Sequence, residues 1–172
     1  MRKIAFLLMF FLSTTLYAQS ESELSNKDNS NSAGIYLSYT SLDYLSNKND
    51  LLGWGFILDD KDKSKFFEVE FLFPIGNNDL DFVTAFNVDV GMTVASLKVA
   101  KKLQIGLNGE IGLSNFVIKD SLKKDQLYTG FNGSVGINVR FYGFFLNSKI
   151  GPIFTTGTYK FNSLNISLGY IF

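Results

Sequence analysis

Glu68 and Glu70 stand two residues apart in the run Lys65-Phe66-Phe67-Glu68-Val69-Glu70-Phe71-Leu72-Phe73. In an extended chain successive side chains point to opposite faces, so both carboxylates share one face. Two carboxyl groups in one site can divide the roles of general acid and general base. They can equally belong to a polar network inside a packed fold, and the network is favoured because no other catalytic partner accompanies them. Asp59-Asp60-Lys61-Asp62-Lys63 offers oxygen ligands of the kind Ca²⁺ takes, although its interleaved lysines read as a solvated turn. The chain contains no His and no Cys. Ser-His-Asp and Cys-His nucleophilic chemistry are thereby excluded, as are His/Cys zinc sites and disulfides. The 15 glycines fall at strand spacing, with no GxGxxG or GxxxxGK order to cradle a phosphate. A non-enzymatic chain without a cofactor is expected.

The elements that must hold these charges are strands. From Ala33 onward apolar residues recur at every second position, the mark of two chemically different faces. Eight such segments cover 35–39, 52–58, 67–73, 82–94, 103–113, 127–139, 144–150 and 164–172. Clusters with turn chemistry separate them at 46–50, 59–64, 74–79, 95–102, 115–126, 140–143 and 155–160. In the first segment Leu42 and Tyr44 fall out of phase with Tyr39, and the fourth segment is long enough to carry a bulge.

Between the apolar positions lie small and amide residues, among them Gly53, Gly55, Gly91, Gly112, Asn87, Asn138, Asn147, Asn165 and Ser167. Solvent-facing strand positions disfavour glycine. A narrow tube, in contrast, needs small residues to avoid collision. The charges on this face are Glu68, Glu70, Asp89, Glu110, Arg140 and Lys149. Four acids against two bases leave an excess to be met by protons, water or a bound cation, and each base is expected to contact an acid. Trp54, Tyr39, Phe82, Phe73, Phe144, Tyr170 and Phe172 sit near segment ends, where a membrane interface favours aromatic rings. The expected fold is all-β: a closed antiparallel up-and-down transmembrane β-barrel of about eight strands over residues 33–172.

Ahead of it, Met1-Arg2-Lys3 is basic, residues 4–12 are apolar, and Ala18 precedes Gln19. Residues 1–18 are expected to be a cleaved signal peptide and residues 19–32 a polar leader. Removing Arg2 and Lys3 from 16 basic residues leaves 14 against 16 acidic ones, with no basic face for nucleic acid.

The closing run Asn165-Ile166-Ser167-Leu168-Gly169-Tyr170-Ile171-Phe172 resembles the C-terminal β-signal of outer-membrane barrels. The resemblance implies recognition by the barrel-assembly machinery, carried by Leu168, Tyr170 and Phe172. The eight-segment layout is similar to the small OmpA-like and OmpX-like barrels. The Tyr-Ala-Gln region and the Lys/Asn-rich composition are similar to proteins of the Bacteroidota, and Asp120-Ser121-Leu122 resembles their short O-glycosylation motif. The resemblance implies an outer-membrane location in contact with lipid, and a structural or surface-interaction role with an envelope protein as candidate partner. Lys119, Lys123 and Lys124, on the segment between the fifth and sixth strands, would face outward toward lipid A phosphates or a protein. The alternatives are an accessory subunit of a larger outer-membrane complex, a small channel and a soluble periplasmic ligand-binding barrel.

Overall fold

A computed structural model describes residues 31–45, 47–60, 64–76, 80–119, 124–157 and 159–172. The expected signal peptide, the leader up to residue 30, Lys61-Asp62-Lys63, Asp120-Ser121-Leu122 and Lys123 lie outside the described residues. The described chain forms β1 (Ser32–Tyr44), β2 (Asn47–Asp59), β3 (Lys65–Pro74), β4 (Phe82–Ala100), β5 (Leu103–Lys119), β6 (Asp125–Phe141), β7 (Phe144–Thr155) and β8 (Lys160–Ile171). Each strand pairs antiparallel with the next, and β8 returns to β1, which closes the barrel. Beyond the last ladder pair the Phe172 N–H donates to the Ala33 carbonyl at 2.8 Å.

The register explains the alternation. From Leu97 on β4, cross-strand partners run through Ile105, Val139, Leu146, Leu168, Leu37, Trp54 and Phe71 to Phe86. That path returns to β4 eleven residues from its start (97 − 86 = 11). Closure with such an offset is what tilted barrel strands require. Every member of the path is apolar, so the outer wall carries a continuous apolar stripe. On that wall Trp54 stacks on Phe71 at 4.9 Å between ring centroids, and Phe71 meets Phe86 at the same separation.

The strands are longer than the apolar segments, so most connections shrink. Residues 47–50 belong to β2, 95–100 to β4, and 115–119 and 125–126 to β5 and β6. The 95–102 cluster reads as a turn because β4 runs on past β3: from Val94 to Ala100 both faces are exposed, and the alternation vanishes. The β6–β7 link contracts to Tyr142 (φ 52) and Gly143 (φ 86). Positive φ at both central residues gives a two-residue hairpin turn whose twist matches the strands.

The lumen is layered. Toward the end that carries the β2–β3 turn and Phe172, Tyr36, Ile57, Phe66 and Phe145 form an apolar cluster with Ile171 against it. Toward the opposite end Leu42, Leu51, Leu72, Phe82, Ala85, Phe116, Ile118, Ile153 and Phe161 form a larger one, with Tyr44, Tyr128 and Tyr159 packed on it. Polar side chains fill the layer between. The layering explains one irregularity of the sequence pattern and corrects one expectation. Leu42 is out of phase because it points inward, into the larger cluster. Phe82, grouped by sequence with the outward aromatics, is also inward: a register shift between Phe82 and Thr84 adds one residue and turns Phe82 over.

Three glycines make the smaller cluster possible. Tyr36, Phe66 and Phe145 lie directly across from Gly55, Gly91 and Gly169 in the ladders. A Cβ on Gly91 would stand 2.2 Å from Phe66 Cζ, and one on Gly55 would stand 2.4 Å from Tyr36 Cζ. The rings occupy the volume that side chains would have taken. Gly91→Val is expected to expel the Phe66 ring and to lower the stability of the folded barrel by about 1–3 kcal/mol. Denaturant unfolding in detergent checks this, and an unchanged midpoint would contradict it.

Candidate functional site

The middle layer draws its charges from four strands. Glu68 and Glu70 are alternate residues of β3, so both enter the lumen. Asp89 of β4 is the direct ladder partner of Glu68, and Glu110 of β5 is the partner of Gly91, one inward position further on. Like charges set opposite each other are unfavourable unless a cation intervenes. Lys149 of β7 supplies it from across the barrel. Its Nζ donates to Glu110 Oε2 at 2.6 Å and Glu68 Oε2 at 2.8 Å, and stands 3.8 Å from Asp89 Oδ2. All four groups are buried.

Glu70 has a different environment. Asn87 Nδ2 donates to its Oε2 at 2.8 Å and Asn165 Nδ2 to its Oε1 at 3.0 Å. Asn165 Nδ2 also reaches Thr40 Oγ1 at 2.7 Å. The two carboxylates that the sequence sets side by side thus serve separate partners: one an ammonium group, the other two amides. Asn132 Nδ2 donates to Ser114 Oγ at 2.7 Å, and Ser134 Oγ approaches Glu110 Oε2 at 3.4 Å.

Arg140 corrects the expected pairing. It contacts none of the four middle-layer acids as a salt bridge. Its Nη1 and Nη2 instead fork onto the two oxygens of Asp59, the second at 3.1 Å, while Nε donates to Asn138 Oδ1 at 2.9 Å. The sequence pattern groups Asp59 with a charged turn. In the fold it is the last residue of β2, buried, and in phase with inward Gly53, Gly55 and Ile57. Counting that phase one step further along the sequence identifies it.

The rest of the charged turn is ordinary capping. Asp60 accepts from the Ser64 N–H at 2.8 Å, Ser64 Oγ at 3.0 Å and the Lys65 N–H at 3.1 Å. The Lys65 backbone N–H above all, and then Ser64, hold its carboxyl below the usual carboxylate range. A depressed folded-state value stabilises the turn at pH above the unfolded carboxylate range and releases it as pH falls through the folded value. The protection factors of the Ser64 and Lys65 amides against hydrogen exchange are therefore expected to fall on acidification, and to be low at every pH in Asp60→Ala. Equal protection in parent and variant at neutral pH would contradict this.

The remaining candidates do not converge on the middle layer. Lys119 closes β5 and Lys124 precedes β6, both exposed. In β8 Leu168 faces outward, Tyr170 packs edge-on against Phe144 at 4.9 Å, and Phe172 is exposed beyond the strand end.

No family model matches the chain, and no curated protein matches it in sequence. The solved structures supply the likeness. The fold is similar to Neisserial surface protein A, with a TM-score of 0.61 at 9% identity over 85% of this chain and 100% of that one. It is also similar to the N-terminal β-barrel domain of Pseudomonas aeruginosa OprF, with a TM-score of 0.55 at 12% identity over 83% of this chain and 100% of that one. Both are small eight-stranded outer-membrane β-barrels. At such identities the likeness concerns the fold.

Proposed function

We propose that this chain is a non-enzymatic integral outer-membrane barrel with a structural or surface-interaction role. The observation that carries the reading is the inversion of its two faces. The outer wall exposes Leu168, Val135, Ile111 and Phe131 at more than half of their surface, while charged residues are buried inside. A large continuous apolar surface on a water-soluble protein would be a liability, and lipid is the solvent that suits it. A lipocalin-like soluble barrel would carry the opposite arrangement. The two structural neighbours are outer-membrane barrels, which supports the same location.

The filled lumen speaks for a scaffold over a pore, since apolar clusters lie on both sides of the charged layer. With both termini in the periplasm, the ends of β5 and β6 that carry Lys119 and Lys124 face outward. Those lysines suit contact with phosphate groups or with an acidic partner protein. In this reading Leu168, Tyr170 and Phe172 form the signal read by the barrel-assembly machinery, and residues 1–18 are removed on export.

Cell fractionation with gel mobility of unheated and boiled samples tests the location. The expected result is a heat-sensitive mobility shift in the outer-membrane fraction. A soluble periplasmic protein without that shift would overturn the proposal. Phe172→Ser is expected to lower the amount of assembled barrel under limiting assembly machinery while synthesis continues. Equal assembly of variant and parent would remove the signal reading.

A further inference from the structure

β4 and β5 reach further than their neighbours at the end that carries the β2–β3 turn and Phe172. The β3–β4 ladder stops at Lys65 and Met92, whereas β4 runs on to Ala100 and stays paired with β5 as far as Leu103. Residues 94–100 therefore have β5 on one side and no strand among the described residues on the other. The outer face of this overhang continues the apolar wall through Leu97, Ile105 and Leu107. Its inner face is polar, with Ser96 opposite Gly106 and Lys98 opposite Gln104. Lys101 and Lys102 form its tip.

The inner face borders an open vestibule of about 780 Å³ at the barrel mouth, with Ser96, Lys98, Lys101, Lys102, Gln104 and Arg140 in its lining. Register gathers three of them. Gln104 is the ladder partner of Lys98 on one side and of Arg140 on the other, so they stand in one row. Directly opposed residues on one face have Cβ atoms about 5 Å apart. Lys102 is held against the wall by Tyr142, whose ring centroid lies 4.2 Å from its Nζ. Arg140 is neutralised by Asp59. Lys98, Lys101 and Lys102 are exposed, and no ion pair joins them to a carboxylate among the described residues, Phe172 included. No acidic side chain among the described residues lines the vestibule. Ile171 does, and it packs on the apolar cluster of Tyr36 and Phe145, so the vestibule backs onto an apolar layer.

We propose that this vestibule binds a phosphate group, with the ammonium groups of Lys98, Lys101 and Lys102 and the Gln104 amide as its donors. Three like charges on one short hairpin repel one another, and a multiply charged anion relieves that cost. A cleft with one sign of charge beside apolar walls concentrates counter-ions. Each lysine ammonium is a compact point charge with three donors, which suits the oxygens of a phosphate. A carboxylate is better matched by the planar fork of an arginine, and the fork of Arg140 is spent on Asp59. The phosphate belongs either to a phospholipid headgroup of the adjoining leaflet or to a solute. The lipid source rests on the outer-membrane reading above, whereas the phosphate chemistry does not.

The test is to follow backbone amide resonances of the full barrel in micelles of uncharged detergent while inorganic phosphate replaces chloride at constant ionic strength. The same spectra are then taken in phosphatidylcholine nanodiscs with and without phosphatidylglycerol. The expected result is a saturable shift at Lys98, Lys101, Lys102, Gln104 and Tyr142 with at least one phosphate source. Saturation by phosphatidylglycerol alone assigns the headgroup, and saturation by inorganic phosphate assigns a free phosphate group. The triple variant Lys98→Gln, Lys101→Gln, Lys102→Gln should bind at least tenfold more weakly. Lys65→Gln removes an exposed charge outside the vestibule and should bind as the parent does. All four lysines are exposed, so the unfolding midpoints of the variants should match the parent and exclude misfolding as the cause. The micelle titration does not depend on where the barrel resides, so its outcome is separate from that of cell fractionation. No saturable shift with either source would overturn the proposal, as would phosphate binding unaffected by the triple variant. Tighter binding of a glutamate-rich peptide than of both phosphate sources would also overturn it, and would make the vestibule a dock for an acidic protein segment.

Discussion

Lys149→Met is expected to destabilise the folded barrel by about 3–5 kcal/mol, the penalty for stripping buried charges of their partner. The ammonium group is shared by Glu68 and Glu110 and lies near Asp89, on three different strands. Methionine preserves much of the length and apolar stem of lysine but offers no donor to any of the three acids. Since Glu68 and Asp89 are cross-strand neighbours, their repulsion then acts directly on the β3–β4 ladder. Glu110→Gln alone removes one acid and keeps the Lys149–Glu68 contact, so its effect should be smaller. In the double variant the two losses should not add, with a coupling of about 0.5–3 kcal/mol. Urea unfolding of parent, single and double variants in detergent measures this. Additive effects would show that water, not the lysine, carries the charge of this layer. Lys124→Met, at an exposed site, should stay within about 0.5 kcal/mol of the parent.

The second large effect concerns the outer wall. Ile111 lies at the middle of β5, opposite Val90 in the ladder, and 55% of its surface is exposed. In water an exposed isoleucine can become arginine with a change of about 0.5 kcal/mol or less. In a bilayer the same substitution near the midplane costs about 2–4 kcal/mol. Ile111→Arg should therefore reduce stability strongly for the barrel folded into lipid vesicles. The same charge nearer the rim, as in Leu127→Arg near the start of β6, should cost about 0–1 kcal/mol. A flat response along the wall would mean that lipid does not surround it. The two variants also separate causes, because neither touches the lumen.

The number of strands, their antiparallel order and the identity of the outward face were legible in the sequence. Each depends on a local pattern: period-two alternation, turn chemistry between segments, and small or amide residues opposite the apolar ones. The phase of Glu68, Glu70, Asp89, Glu110, Arg140 and Lys149 was legible for the same reason, since phase comes from counting along a strand. The apolar layers were not. Runs such as Asp50-Leu51-Leu52-Gly53 and Phe71-Leu72-Phe73 are apolar on both faces, so they hide which residue turns inward. Leu42, Leu51 and Leu72 became core only once the barrel closed and set them against Phe116, Ile153 and Phe161.

Pairing was likewise decided by closure. Arg140 and Asp59 are 81 residues apart, and so are Lys149 and Glu68. Nothing local distinguishes these combinations from a pairing of Arg140 with Glu110. The ladder offset around the barrel sets the height of each inward residue, and height selects the partner. The Phe82 bulge belongs to the same category: one extra residue reverses a face, and only the pairing of β4 with β5 reveals where it sits. By itself the sequence determined which residues are chemically suited to each face, because a strand's period is two whatever surrounds it. Only the tertiary structure decided which charges meet, because contacts across a closed barrel depend on register, and register is a property of all eight strands together.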